Sequence, residues 1–237
     1  ALTDNTTASN NTAVGYNCLL ANLTGTQNTA VGVQALDAHL ASNCNAFGYQ
    51  ALSANTTGAS NCAFGSHALD NNTTGANNTG LGHRSMDSNT TGTENTSVGR
   101  GSLEDNTEGS NNTAVGNHCL RNNTTASDNT AVGHDALAAN TTGSLHVAVG
   151  REALINNTTG NNSVAVGRQS MYHNTTGNSS TAVGLNSLQQ NTTGNENVAI
   201  GRNALVNNTT GTLNTALGAF AGDSVTTGGD NTLIGHN

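Results

Sequence analysis

The sequence predicts an all-β fold: a β-solenoid (parallel β-roll) of about 14 coils, with about 17 residues and two short strands in each coil. Three observations predict it. Glycines recur in one phase at Gly15, Gly32, Gly48, Gly65, Gly82, Gly99, Gly116, Gly133, Gly150, Gly167, Gly184, Gly201, Gly218 and Gly235, seventeen residues apart except for one sixteen-residue step between Gly32 and Gly48. A period of that size marks stacked repeats. Around each glycine the same phrases return, N-T-A-V-G, then A-L, then N-T-T-G. Finally, seventeen residues holding two glycines, several Asn and Thr and only about three apolar positions are poor helix material.

With the anchor glycine as position 0, Asn stands at −4 and N-T-T-G runs from +7 to +10, as residues 197 to 213 show almost undistorted. The first strand is T-A-V. Alternation puts −1 and −3 on one face and −2 on the other. The −1 column, Val31, Phe47, Phe64, Leu81, Val98, Val115, Val132, Val149, Val166, Val183, Ile200, Leu217 and Ile234, is expected to be the core stripe. The −2 column is almost wholly Ala, with Gly80, Ser97 and Leu233 as exceptions, and is expected to lie close against a packed neighbour. The second strand is A-L with its neighbours, ending at N-T-T-G. A glycine closes each segment, where positive φ is expected.

The +7 column is Asn5, Asn22, Asn55, Asn72, Asn89, Asn106, Asn123, Asn140, Asn157, Asn174, Asn191 and Asn208. All but Asn106 begin an N-x-T sequon. Two readings stand side by side: a row of glycan acceptors on a secreted protein, or an Asn ladder that holds the turn by side-chain amide stacking.

No composition shift divides the repeat, so residues 1–237 are expected to form one continuous array without an internal boundary. Charged residues are 8% of the chain, aromatics 3%, and Trp, Pro and Lys do not occur. The formal charge of −8 and the lack of any basic surface disfavour nucleic acid and anionic membranes as partners. No apolar run is long enough for a membrane span. One Val and one Leu per coil make a thin core, so the chain is expected to associate with itself through the Ala column, as a parallel homo-oligomer with a trimer leading.

Cys18, Cys44, Cys62 and Cys119 fall at +3, −4, −3 and +3. Cys44 and Cys62 lie at nearby phases of adjacent units, where a disulfide is conceivable. At the two ends, the sequence fills a whole number of units cut in mid-coil and shows no divergent cap, which predicts continuation of the array or end-to-end stacking.

No catalytic motif, phosphate-binding loop or dinucleotide fingerprint occurs, so no catalytic residue, metal ligand or cofactor is expected. The eight His fall at scattered phases and read as solvated or turn-lining. Glu94, Asp128, Glu196 and Asp230 share −5 but in nonadjacent units, unlike the regular Asp of calcium-binding repeats. Adjacent Thr at +8 and +9 face opposite sides, which argues against an ice-binding face. Five of the six Arg, Arg84, Arg100, Arg151, Arg168 and Arg202, sit at +1 or +2 and mark an exposed turn edge.

The phrase N-S-V-A-V-G at Asn162 to Gly167, with N-T-A-V-G and N-V-A-I-G elsewhere, resembles the head repeats of trimeric autotransporter adhesins of the YadA type. The longer unit with A-L and N-T-T-G looks more like repeat tracts of phage tail-fibre-like and bacterial surface proteins. The resemblance spans the whole chain. It implies trimeric left-handed β-rolls and a location outside the cell, on the cell surface or on a virion. The expected function is a non-enzymatic fibre or filament segment; the alternatives are an adhesin head binding a surface glycan or matrix, and an ice-binding solenoid.

Overall fold

The computed structural model of the chain describes Leu2 and residues 6 to 236. The expectations for Asn5 and for the two terminal residues lie outside the described residues. Fourteen three-residue strands, one per coil, follow each other: β1 (Thr12–Val14), β2 (Thr29–Val31), β3 (Asn45–Phe47), β4 (Cys62–Phe64), β5 (Thr79–Leu81), β6 (Thr96–Val98), β7 (Thr113–Val115), β8 (Thr130–Val132), β9 (Val147–Val149), β10 (Val164–Val166), β11 (Thr181–Val183), β12 (Val198–Ile200), β13 (Thr215–Leu217) and β14 (Thr232–Ile234). The chain is a β-solenoid of about 17 residues per coil.

Two compact units divide it, residues 1–118 with 122–125 and residues 119–121 with 126–237. In the first, β1 to β7 pair parallel in chain order with like columns opposite, as Thr79 with Thr96 and Leu81 with Val98. In the second, β8 to β14 do the same, as Val166 with Val183. Each strand ends at its anchor glycine for two reasons. At Gly150 φ is +132°, and a Cβ there would lie 2.6 Å from the carbonyl oxygen of Gly167 in the next coil; no side chain fits both demands. The second glycine of the unit differs from expectation, because Gly75 has no positive φ. It is required by space alone, with a Cβ position 2.4 Å from Gly92 O and 2.5 Å from Asn72 Oδ1.

The second expected strand is absent: the A-L segment is a run of turns from +1 to +6. Its cause is the backbone at +2 and +4, which is left-handed in coil after coil; His118 has φ 52° and Leu120 φ 51°. A third left-handed column stands at −5, with Asn111 at φ 59° and Leu145 at φ 64°. Each costs about 1–2 kcal/mol for an L-residue. None of the three columns carries Val, Ile or Thr, whose branched Cβ fits that region worst. The turn still binds coil to coil, since Arg84 N–H donates to Ser66 O behind it and Met86 N–H to Ser102 O ahead, both at 3.0 Å.

The core is also inverted relative to expectation. Alternation along T-A-V is as predicted, but −2 faces in and −1 faces out: Ala63, Ala131 and Ala182 are fully buried, whereas Val14 is 58% and Leu217 47% exposed. The −1 column is therefore not the core stripe. The core is built on +4, where Leu19, Leu36, Leu52, Leu69, Met86, Leu103, Leu120, Leu137, Leu154, Met171, Leu188 and Leu205 are fully buried against the −2 alanines and the small +3 residues. The physical reason is width. One large side chain per coil fills the interior, so the strand must present its smallest residue to it. The last coil reverses the sizes with the same sum: Gly222 stands at +4 and Leu233 at −2, and a Cβ on Gly222 would meet Leu233 Cδ1 at 2.6 Å. Burying the leucine, worth about 2–3 kcal/mol, does little more than offset the left-handed strain at its own position. Coil-to-coil hydrogen bonding has to supply the rest.

Candidate functional site

That bonding is concentrated in two buried Asn columns. At +7, each side-chain amide spends both hydrogens: Asn89 Nδ2 donates to Asn72 Oδ1 at 2.7 Å and to Gly92 O at 3.1 Å, while its own Oδ1 accepts from Asn106 Nδ2 at 2.8 Å. The ladder repeats. In the first unit it runs Asn55, Asn72, Asn89, Asn106, Asn123, and in the second Asn140, Asn157, Asn174, Asn191, Asn208, with links of 2.7 to 3.0 Å. Every one of these side chains, and Asn22 before them, is fully buried. The ladder stops at Asn208, whose Oδ1 is buried without a partner because Val225 holds the next +7 position.

At −4 a second ladder uses the backbone as donor. Asn78 N–H donates to Asn61 Oδ1 at 2.9 Å and Asn95 N–H to Asn78 Oδ1 at 3.0 Å, while Asn61 Nδ2 donates to Gly75 O at 2.7 Å. The two columns meet on the second glycine, because Gly75 O also accepts from Asn72 Nδ2 at 2.9 Å. Outside them, the +8 threonines form a third row, each Oγ1 donating to the next +8 carbonyl, as Thr73 to Thr90 at 3.0 Å. The side chains of these rows are spent on the neighbouring coil and on the glycine carbonyl of their own turn.

The sequon reading of +7 thus meets an amide without a free hydrogen or an exposed atom, and the Asn-ladder reading is the geometry present. Residues that interrupt the columns take over the same bonds. Cys44 at −4 aims its thiol at Gly58 O, 3.4 Å away, as Asn does elsewhere, and burial pushes that thiol up to about 11. Cys18 at +3 donates to Ala30 O at 3.1 Å, matching Ser170 with Ala182 O. All four cysteines are free, so the Cys44–Cys62 disulfide does not form. Cys44 points inward from −4 and Cys62 outward from −3, and consecutive positions on opposite faces cannot align their Cβ vectors for a bridge.

Two histidines depart from the solvated reading. His39 replaces Asn at +7 in the sixteen-residue coil and is fully buried. Its Nδ1 lies 2.8 Å from Asn55 Nδ2, which can only donate, so Nδ1 accepts and Nε2–H faces Asn28 Oδ1 at 3.3 Å. Burial drops its pKa to about 4. His146 replaces Asn at −4; its Nε2–H donates to Gly160 O at 2.6 Å and its Nδ1 accepts from Ser163 N–H at 3.2 Å, and burial again lowers its pKa. Both rings are neutral members of the ladders.

The surfaces that remain differ sharply. Positions +1, +2 and +5 form a polar edge, where Arg84 bridges Asp87 and Glu104 at 2.9 Å each, Arg151 meets Glu152 at 2.7 Å, and Arg202 stacks over Phe220 at 4.6 Å. The expected Arg turn edge is there. Hydrogen bonding from Gln169, then from Arg151, holds the Glu152 carboxyl below its usual range. The outward strand face, −3 and −1, carries no charged residue in any of the fourteen strands. On it Phe47 and Phe64 stack with centroids 4.4 Å apart and rings 8° from parallel. Among the described residues, no three His, Cys, Asp or Glu side chains converge as a metal site would require, and no helix is long and apolar enough to cross a membrane. Sequence reasoning missed +4 as the core and −4 as a ladder. The signal for +4 was a column apolar yet free of β-branched residues; for −4 it was Asn kept at a position where a strand has no use for it.

Compared with protein-family models, curated proteins and solved structures, the chain matches none.

Proposed function

We propose that this chain is a non-enzymatic structural protein, a segment of an extracellular, cell-surface or virion fibre built by stacking coils and associating with copies of itself. One observation carries the reading. The buried Asn and Ser side chains and the half-buried Thr row bond to the next coil or across their own coil rather than converging on a cavity, which is the arrangement of a material made to be extended. A site for chemistry needs the opposite, polar groups aimed at an empty space. Absence of Lys, sparse charge and few aromatics further leave little with which to hold a small molecule tightly.

The experiment is gold-labelled antibody against the purified chain, applied to its native source, together with negative-stain imaging of the purified protein. Label along fibres at the outer surface is the expected result. Label confined to the cell interior, or on compact particles away from any filament, would overturn the reading.

A further inference from the structure

The outward strand face is an uncharged surface with a large apolar side chain in every strand. Its −1 side chains include Phe64 at 38%, Leu81 at 47%, Val132 at 37%, Ile200 at 39% and Leu217 at 47% exposure. Its −3 side chains are Thr, Val, Cys or Asn. Of the two outward side chains on each of seven strands, about half are exposed and the rest half-buried, which together present roughly 500 Å² per unit. That matches the largest patch an ordinary monomer leaves bare, about 300–600 Å² and often functional, and is more than half of the ~800 Å² per partner of a stable interface.

We infer that this face docks a second copy of the same chain, sheet against sheet, with the in-register −1 and −3 columns of the two copies interdigitating. The inference rests on the structural reading above and names its contact surface. Two features choose a copy over any other partner. The columns repeat at the coil spacing, about 4.8 Å, so a partner must offer apolar side chains at the same spacing over many strands, as a second copy does. Charge decides which face is used. At −8 the chain repels itself, and all 14 acidic and 6 basic residues lie outside the −3 and −1 columns; the strand face, with a large apolar side chain at −1 in every strand, brings two copies together with no charge in contact. Steric-zipper packing of in-register columns is the physical precedent.

The test is the mass of the full chain by sedimentation velocity from about 10 to 100 µM, a range that covers the weak, µM end of protein–protein affinities. The wild type is expected at two or more times its 23.8 kDa. Leu81→Glu with Ile200→Glu, one on each unit's face, is expected to weaken association at least 100-fold, while Leu185→Glu, 39% exposed on the +1 edge, leaves it unchanged. Should the glutamate pair fail to fold, Leu81→Thr with Ile200→Thr keeps strand-forming side chains and is expected to weaken association at least tenfold. A monomeric wild type at 100 µM, or a folded face variant with undiminished mass, overturns the inference. Failure here is separable from failure of the fibre reading: monomers from a chain that antibody places on fibres refute only the face, and face-dependent multimers found away from fibres refute only the fibre.

Discussion

Replacing Asn174 by Asp tests the ladder with almost no change in shape. Asn174 is fully buried; it donates to Asn157 Oδ1 at 2.9 Å and to Gly177 O at 3.1 Å, and accepts from Asn191 Nδ2 at 2.9 Å. An aspartate keeps the acceptor and loses both donors. Two buried acceptors are then orphaned and face a third oxygen, which at about 1–3 kcal/mol each gives a loss of about 3–5 kcal/mol at pH 7. The loss shrinks in acid, because a protonated carboxyl can donate to one of the two. The sign follows from the folded-state pKa of the new carboxyl, raised by burial and by facing acceptors: its deficit is smallest below the unfolded value and grows as pH rises through the folded one.

Asn174→Ala should cost about 2–3 kcal/mol with no such pH dependence, and Thr176→Ala, on an exposed side chain in the same turn, less than about 0.5 kcal/mol. Urea unfolding followed by far-UV circular dichroism reads the totals. Repeat arrays open locally, so hydrogen exchange at residues 157–160, 174–177 and 191–194 is the second measurement. A loss under about 1 kcal/mol for Asn174→Asp at pH 7, or one that does not vary between pH 7 and 4, would refute the view that the ladder holds the coils together.

Three further outcomes are expected. His39 is neutral in the ladder with its pKa down at about 4 from 6.5; the unfolded chain binds the proton first, so stability present above pH 6.5 falls as pH drops to 4, by about 3 kcal/mol from this site, with His146 adding in the same direction. His39→Asn should flatten that dependence in urea titrations, and equal slopes for the two proteins would sink the assignment. At Leu154, where φ is 51°, Ile should cost about 2 kcal/mol more than Met in thermal or urea unfolding, because both conserve volume and only Ile branches at Cβ; equal losses would remove the left-handed column from the account. Folded chain incubated with an oligosaccharyltransferase and a lipid-linked glycan donor should gain no sugar at Asn72, Asn89 or Asn174, whose amides are buried and fully bonded; glycopeptides at those positions from protein that is still folded would contradict the ladder.

Period, phase and parallel register were legible in the sequence because one glycine per coil cannot be exchanged: Gly150 needs both its φ and its missing Cβ. Alternation along T-A-V was legible too. Which side faces inward was not, since a Val column and an Ala column each make sense on either face until the third apolar column is placed. Placing it depended on recognising that Leu120 and Leu154 sit at left-handed φ, and standard pattern reading assigns A-L to a strand because it scores apolarity rather than branching. The +7 column was legible as Asn but not as ladder or acceptor; its burial decides that, and burial follows from the turn that the αL residues make. Cys44 and His146 were unreadable as members of the −4 column because neither residue type resembles Asn in a pattern, and only the shared bond to a glycine carbonyl joins them to it.

The ladders also explain why so plain a composition folds. A coil whose single large core residue barely offsets its own backbone strain gains little from folding alone; it gains when a neighbour completes Asn89, Gly92 and Thr90. Stability of that kind is an interface property. It selects for in-register repetition and against variation at −4, −2, 0, +4, +7 and +10, where each group has a fixed partner. Freedom is left at −3, −1, +1, +2 and +5. Of these, +1, +2 and +5 took up most of the charge and all six Arg, while −3 and −1 took up none. Outward side chains such as Leu81 and Ile200 have no fixed partner inside their coil, so the uncharged columns at −3 and −1 are where a glutamate changes the surface while leaving the ladders intact, which is what makes the proposed contact testable.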